Sequence, residues 1–212
     1  MKKKVALGLL GAGLILTPIA LNPHVQFVTA GALINVGYCL QDHLHAYDLS
    51  KAHELDATQV WDRFCVQNRM ASKVRDFFPR TRFHPLVALV VCMDARLDTN
   101  ELAGDTRRYY YIVRTAGSVL DVKEEEMLEL AVEKGVKVIV FTTHSDCAAE
   151  KAAKDPALCA RFPKLTSAVG IRMQRFEEFK ARPMIAEKIK NGELLVHWAG
   201  IHTGTDGVDD SR

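Results

Sequence analysis

The sequence predicts an α/β fold in which a mainly parallel central sheet is flanked by helices and preceded by an N-terminal helical arm. Three observations lead there. Short valine-rich apolar runs recur at residues 86–91, 109–113 and 136–142, as strands covered on both faces require. Residues 123–134 carry helical spacing through Met127, Leu128, Leu130 and Ala131 and close at Gly135, a common helix stop. Strands that alternate with helices need crossover connections, and crossovers give parallel pairing.

The elements follow in order. Residues 1–32 read as a signal peptide or, alternatively, a membrane anchor: Lys2, Lys3 and Lys4 precede an apolar stretch from Val5 to Leu21. Small residues at Val28-Thr29-Ala30 and Ala30-Gly31-Ala32 then suit cleavage. This leader places the folded part outside the cytoplasm, periplasmic or secreted, or anchored if uncleaved. Residues 33–80 form the helical arm. Within it, Asp56 can cap a helix whose apolar positions Val60, Trp61, Phe64, Cys65, Met70, Val74, Phe77 and Phe78 recur at threes and fours before Pro79. His43, His45 and His53 are spaced so that no single helical face carries all three, which favours a surface or interface role.

Residues 81–204 form the α/β core. After its third strand comes an alanine-rich helix start beyond Cys147, a longer helix over 165–180, and a short one opened by Pro183. Behind the turn Asn191-Gly192 lies a last strand at 194–197. Residues 205–212 belong to a Gly/Asp-rich tail, from Gly204 onward, expected to be loose. No repeat, low-complexity block or linker divides residues 33–212, which read as a single domain.

Composition agrees with one catalytic-sized globular domain, at 212 residues with 48% hydrophobic and 25% charged residues. The net charge of +2 rests on the three lysines of the leader, and no basic patch points to nucleic acid.

The chemistry concentrates at Cys92 and at His144-Ser145-Asp146-Cys147. Two sulfurs and one imidazole are good zinc ligands, and a catalytic zinc site uses three protein ligands and leaves one position for water. Cys92 ends an apolar run, so it belongs at a strand end, where open α/β sheets gather ligands. His144 and Cys147 are two residues apart in between, close enough for one turn to aim both at a single ion. Bound metal would lower the pKa of water towards ~7 and supply hydroxide at neutral pH. Asp94 can orient that nucleophile, and Arg96 can hold Asp94 through paired hydrogen bonds. Without the arginine, Asp94 is free to become a fourth ligand.

Five cysteines cannot all pair. With Cys92 and Cys147 assigned to metal, Cys39, Cys65 and Cys159 remain. Cys65 suits a small core position, and one disulfide among the three is possible in an oxidising compartment, its partners undetermined. His84 and His197 can move protons, although structural or exposed roles are commoner for such residues.

The motif Cys92-Met93-Asp94-Ala95-Arg96-Leu97-Asp98 resembles the first zinc and dyad motif of the β-class carbonic anhydrases, in the form of their shorter branches. His144-Ser145-Asp146-Cys147 resembles their second zinc motif, and Ile112-Val113-Arg114-Thr115-Ala116-Gly117 their Arg-Asn-Ala-Gly segment. The resemblance extends over about residues 57–204, where it includes a similar terminal strand and tail. It implies reversible hydration of carbon dioxide to bicarbonate. Cys92, His144 and Cys147 would hold one Zn2+ per chain, and Asp94 with Arg96 would form the gating dyad. It also implies a homodimer or higher homo-oligomer, with Trp61 and Phe64 against the partner. The chain departs from the pattern at Ala148, where glycine is usual, at Thr115 for asparagine, and at Arg82-Phe83-His84-Pro85, where a Gln-x-Pro segment is common.

Alternatives are a related zinc hydrolase acting on carbonyl sulfide or carbon disulfide, and a catalytically silent zinc-stabilised binding module closed by Asp94. A dithiol redox protein fits less well, because Cys92 and Cys147 form no Cys-x-x-Cys pair.

Overall fold

Valine-rich strands flanked by capped helices account for most of the architecture seen in a computed structural model, which describes residues 22–44, 55–79 and 83–209. The chain divides into two units, Met1–Arg80 and Thr81–Arg212.

In the first unit, α1 (Pro23–Asp42) starts at Asn22, whose side chain accepts hydrogen bonds from the backbone of His24 and Val25. It runs through Val28–Ala32 without interruption, while the leader up to residue 21 lies outside the described residues. No helix among the described residues is long and apolar enough to cross a membrane. The second helix, α2 (Ala57–Phe77), opens with a capping box between Asp56 and Gln59 and has no buried residue. Trp61 and Phe64, stacked at 5.4 Å between ring centroids, are exposed on it, as are Val74, Phe77 and Phe78. Cys65, expected in a core, is only half-buried, on a helix that has no buried residue. His43 sits exposed at the end of α1, and His45 and His53 lie outside the described residues.

The second unit is built on β1 (Val87–Cys92), β2 (Tyr110–Thr115), β3 (Val138–His144), β4 (Leu195–His202) and β5 (Gly207–Asp209), in the spatial order β2-β1-β3-β4-β5. The first four pair in parallel and β5 is antiparallel on β4. From β1 the chain crosses to one side for β2 and then to the other for β3. The order therefore reverses at β1, and a crevice opens beyond the carboxyl ends of β1 and β3. Alternation along β1 explains its unbroken apolar run. Ala88 and Val90 pack with Leu128, Ile139, Phe141 and Phe179, whereas Leu89 and Val91 pack in a separate cluster with Leu97, Cys147 and Ile201. Each fully buried aliphatic or aromatic side chain contributes roughly 1.5–3 kcal/mol.

Helices cover the sheet. Between β1 and β2 lies the short α3 (Thr99–Ala103), capped by Asp98, which the sequence pattern did not reveal. A 3-10 turn, Ala116–Ser118, follows β2, and α4 (Val122–Glu133) follows with a capping box from Asp121 to Glu124. Beyond β3 come α5 (Ala148–Lys154), α6 (Pro156–Arg161), α7 (Pro163–Gly170), α8 (Arg172–Lys180) and α9 (Pro183–Lys190).

Three expectations are corrected here. The helix expected over 165–180 is two, because Gly170 ends α7 and Ile171 leaves helical geometry at φ −98° and ψ 9°. The strand expected at 194–197 runs on to His202, since pairing with β3 continues to His144 opposite Ile201. The tail is not loose over 207–209: a turn with Asp206 at φ 51° folds it back to pair Val208 with Ile201, and 210–212 lie outside the described residues.

Candidate metal centre

Cys92 is the last residue of β1 and His144 the last of β3, so parallel pairing sets both at the same end of the sheet. The chain then turns through Ser145 and Asp146, the latter at φ 64°, and delivers Cys147 at the start of α5. Aspartate is among the few residues other than glycine that tolerate this left-handed backbone. The ligand atoms of Cys92, His144 and Cys147 all lie within 4.8 Å of one another, and the two sulfurs are 4.0 Å apart. All three residues are buried.

The imidazole is oriented by its surroundings. Its Nδ1 lies 3.0 Å from the Ser145 carbonyl oxygen and 3.1 Å from Thr203 Oγ1. A carbonyl only accepts, so Nδ1 carries the proton and Nε2 keeps its lone pair. Nε2 is buried and has no hydrogen-bond partner among the described residues. Thr203 is tied in turn, with its amide donating to Ser145 Oγ at 3.0 Å and its hydroxyl to the Ser145 carbonyl. An orphaned imidazole nitrogen facing two buried sulfurs is the donor set of a thiophilic metal such as zinc. Burial, and the nearby Cys92, push the Cys147 thiol up in pKa, and a bound cation would reverse that preference.

Asp94 and Arg96 stand beside this cluster. Arg96 donates from Nε to Asp94 Oδ1 at 3.0 Å and from Nη2 to Oδ2 at 2.8 Å, and its amide also reaches Oδ1 at 3.0 Å. These bonds hold the Asp94 carboxyl well below the usual carboxylate range, and raise the already high pKa of Arg96. Asp94 Oδ2 lies 4.0 Å from His144 Nε2. Two residues that sequence reasoning passed over complete the loop. Arg96 Nη1 also meets Asp146 Oδ2 at 3.0 Å, and Arg114 donates to the carbonyls of Asp94 and Leu97.

An apolar cavity of about 300 Å³ adjoins the cluster, with Cys92, Asp94, Gly117, Ala148, Phe162 and Leu165 among its lining residues. Gly117 has φ 63°, and a Cβ there would come within 3.0 Å of Val169 Cγ2 and 3.3 Å of Ala149 Cβ, so this wall needs glycine. Ala148 is accommodated, since it begins α5 where no left-handed backbone is called for. At Thr115 the backbone does the structural work: its carbonyl accepts from Met93 at 3.0 Å, and β-branching suits the strand.

His84 and His197 are exposed and line neither the apolar cavity nor the smaller one on the far side of His144. That second cavity, about 220 Å³, includes His202 and Asp209, whose side chains pair at 3.3 Å. The signal for His202 and Thr203 was the extension of β4 along β3, invisible without the pairing. For Asp146 it lay inside the His-x-x-Cys motif, as a residue type suited to a tight turn. Cys39, Cys65 and Cys159 are free thiols.

A family profile described as carbonic anhydrase matches residues 87–188. A comparison with curated protein sequences finds no match. Among solved structures, the chain is similar to one of two tetrameric β-carbonic anhydrases from Sordaria macrospora, with 17% identity and a TM-score of 0.54. That match covers 72% of this chain and 96% of the other. The β-carbonic anhydrase CcaA is similar at 19% identity and TM-score 0.57, covering 72% and 94%. A carbonic anhydrase from Streptococcus mutans gives 21% identity and TM-score 0.51, covering 70% and 95%.

Proposed function

We propose that this chain, whose residues 87–188 match a carbonic anhydrase profile and whose fold is similar to that of β-carbonic anhydrases, catalyses the zinc-dependent, reversible hydration of carbon dioxide to bicarbonate and a proton. The observation that carries this reading is the Asp94 carboxylate, gripped at both oxygens by Arg96 beside three buried donor residues. A closed structural site would take a fourth protein ligand, whereas here the nearest carboxylate is engaged elsewhere.

Cys92, His144 and Cys147 would hold the ion, which supplies a Lewis acid that makes water nucleophilic near neutral pH. The residues of the chain do the rest. Asp94, ionised and confined, accepts the hydrogen of the attacking water and turns its lone pair toward the cavity. Arg96 keeps the carboxylate in that role. The apolar walls formed by Ala148, Phe162 and Leu165 suit an uncharged, apolar substrate and offer bicarbonate little hold, which favours its release.

The test is stopped-flow carbon dioxide hydration on metal-quantified protein, with Cys147→Ser as control. Turnover that rises with pH and vanishes in the variant is expected, and a zinc-loaded protein inert across the pH range would overturn the reading. Carbonyl sulfide and carbon disulfide are compared in parallel, because the same walls accept either gas.

We also read the protein as an exported homodimer or larger homo-oligomer. Exposed Trp61 and Phe64 support assembly, as does the tetrameric state of the Sordaria enzyme. The basic and apolar start of the sequence supports export. Light scattering and the N-terminal mass of protein recovered from cells test these two points.

A further inference from the structure

Arg96 serves two carboxylates, and the second lies within the other ligand loop. While Nε and Nη2 hold Asp94, Nη1 donates to Asp146 Oδ2 at 3.0 Å and Nη2 to the Asp146 carbonyl at 3.1 Å. Asp146 stands between His144 and Cys147, and its remaining carboxylate oxygen pairs with Lys151 Nζ. A guanidinium is planar and rigid, so contacts on two of its edges fix its plane, whereas contact on one edge leaves it free to swing. The clasp therefore joins the loop after β1 to the loop after β3.

We propose that Asp146 is a positioning residue that locks the plane of Arg96 and so keeps Asp94 paired with the arginine and away from the metal. Lys151 completes the arrangement by drawing one Asp146 oxygen away, which limits how strongly Asp146 competes with Asp94 for the guanidinium. As an exposed ion pair, Arg96–Asp146 contributes little to stability. Its effect is orientational: it sets how often Asp94 is free to coordinate. This rests on the zinc-dependent reading above.

The test is Asp146→Asn. Asparagine tolerates the left-handed backbone at this position and leaves the main-chain carbonyl bond in place, so the substitution removes the charge while sparing the turn. Wild type, Asp146→Asn, Lys151→Met and Arg96→Ala are each loaded with zinc for kinetics and with cobalt(II) for absorption spectroscopy. Azide titration of the cobalt form reports whether a coordination position is open to solvent. Asp146→Asn is expected to retain about one metal per chain, while its azide affinity and kcat both fall roughly tenfold with KM little changed, in the range seen for residues supporting a metal site. Arg96→Ala should show the same spectral change more strongly, and Lys151→Met more weakly.

Azide affinity and kcat within about twofold of wild type in Asp146→Asn would overturn the proposal and leave the zinc reading standing. Loss of metal from that variant would also overturn it, since Asp146 would then be a prop for the ligands themselves. Wild-type protein that takes up no metal, or takes it up without hydrating carbon dioxide, removes the underlying reading and the proposal with it.

Discussion

Thr203, from just past the end of β4, sets its hydroxyl oxygen 3.1 Å from Nδ1 of His144 at the end of β3. Together with the Ser145 carbonyl, the contact holds Nδ1 and leaves Nε2 without a partner among the described residues. Thr203→Val keeps the shape and removes the bond. Metal affinity, measured by competition with a chromophoric chelator, should fall about tenfold, the low end for partners of this kind, because the Ser145 carbonyl still accepts from Nδ1.

The Asp94 carboxyl titrates below its unfolded value because Arg96 donates to both of its oxygens. A depressed carboxylate pKa means that the unfolded chain binds the proton more readily, so the pair stabilises the fold above the ordinary carboxylate range and loses that contribution as pH falls below it. Thermal melting of metal-free wild type and Asp94→Asn should differ at neutral pH, and the gap should narrow below about pH 4. A gap independent of pH would contradict the assignment.

Glu125 shows the opposite sign. Burial raises its pKa despite ion pairs from Arg182 at 3.2 Å and Arg175 at 3.5 Å. Arg182→Ala removes this partner and also the Arg182–Glu129 pair at 2.6 Å, and should cost about 2 kcal/mol at neutral pH, the usual scale for a hydrogen bond to a charged group. A raised carboxylate pKa means that the fold retains its proton, so the loss should shrink as the pH falls into the range where Glu125 is neutral. Urea denaturation across that range checks the trend.

Gly117→Ala should destabilise the protein by about 1–3 kcal/mol, through left-handed backbone strain together with the close approach of Val169. The midpoint of thermal unfolding should drop by several degrees. A variant as stable as wild type would contradict both the backbone strain and the close contact with Val169.

The strands, and the cluster of Cys92, His144 and Cys147 that the structure brings together, were legible in the sequence where the information is local. β1 is apolar along its whole length and β3 from Val138 to Phe141 because both faces of each strand are covered, and Cys92 and His144 are the residues at which the two strands end. The parts that were missed depend on which strands become neighbours. Thr203 meets His144, and His202 lines the cavity beside it, only because β4 continues beside β3, and the Arg114 contact with the Asp94 loop exists only because β2 lies beside β1. The break at Ile171 was hidden by apolar spacing that carries straight through Gly170. The exposed stripe of α2 follows the same periodicity as a buried one, so spacing alone misplaced Cys65 in a core.

The reversal of strand order at β1 also bears on how the chain folds. Cys92 and His144 are neighbours only after an excursion through β2 and α4 has returned the chain to the open side of β1, so the ligand set closes late and by a long loop. An ion held there would bridge that loop like a rivet. Amides of β1 and β3 should then exchange with solvent more slowly in loaded protein than in stripped protein, while those of the arm helices α1 and α2 keep their rates.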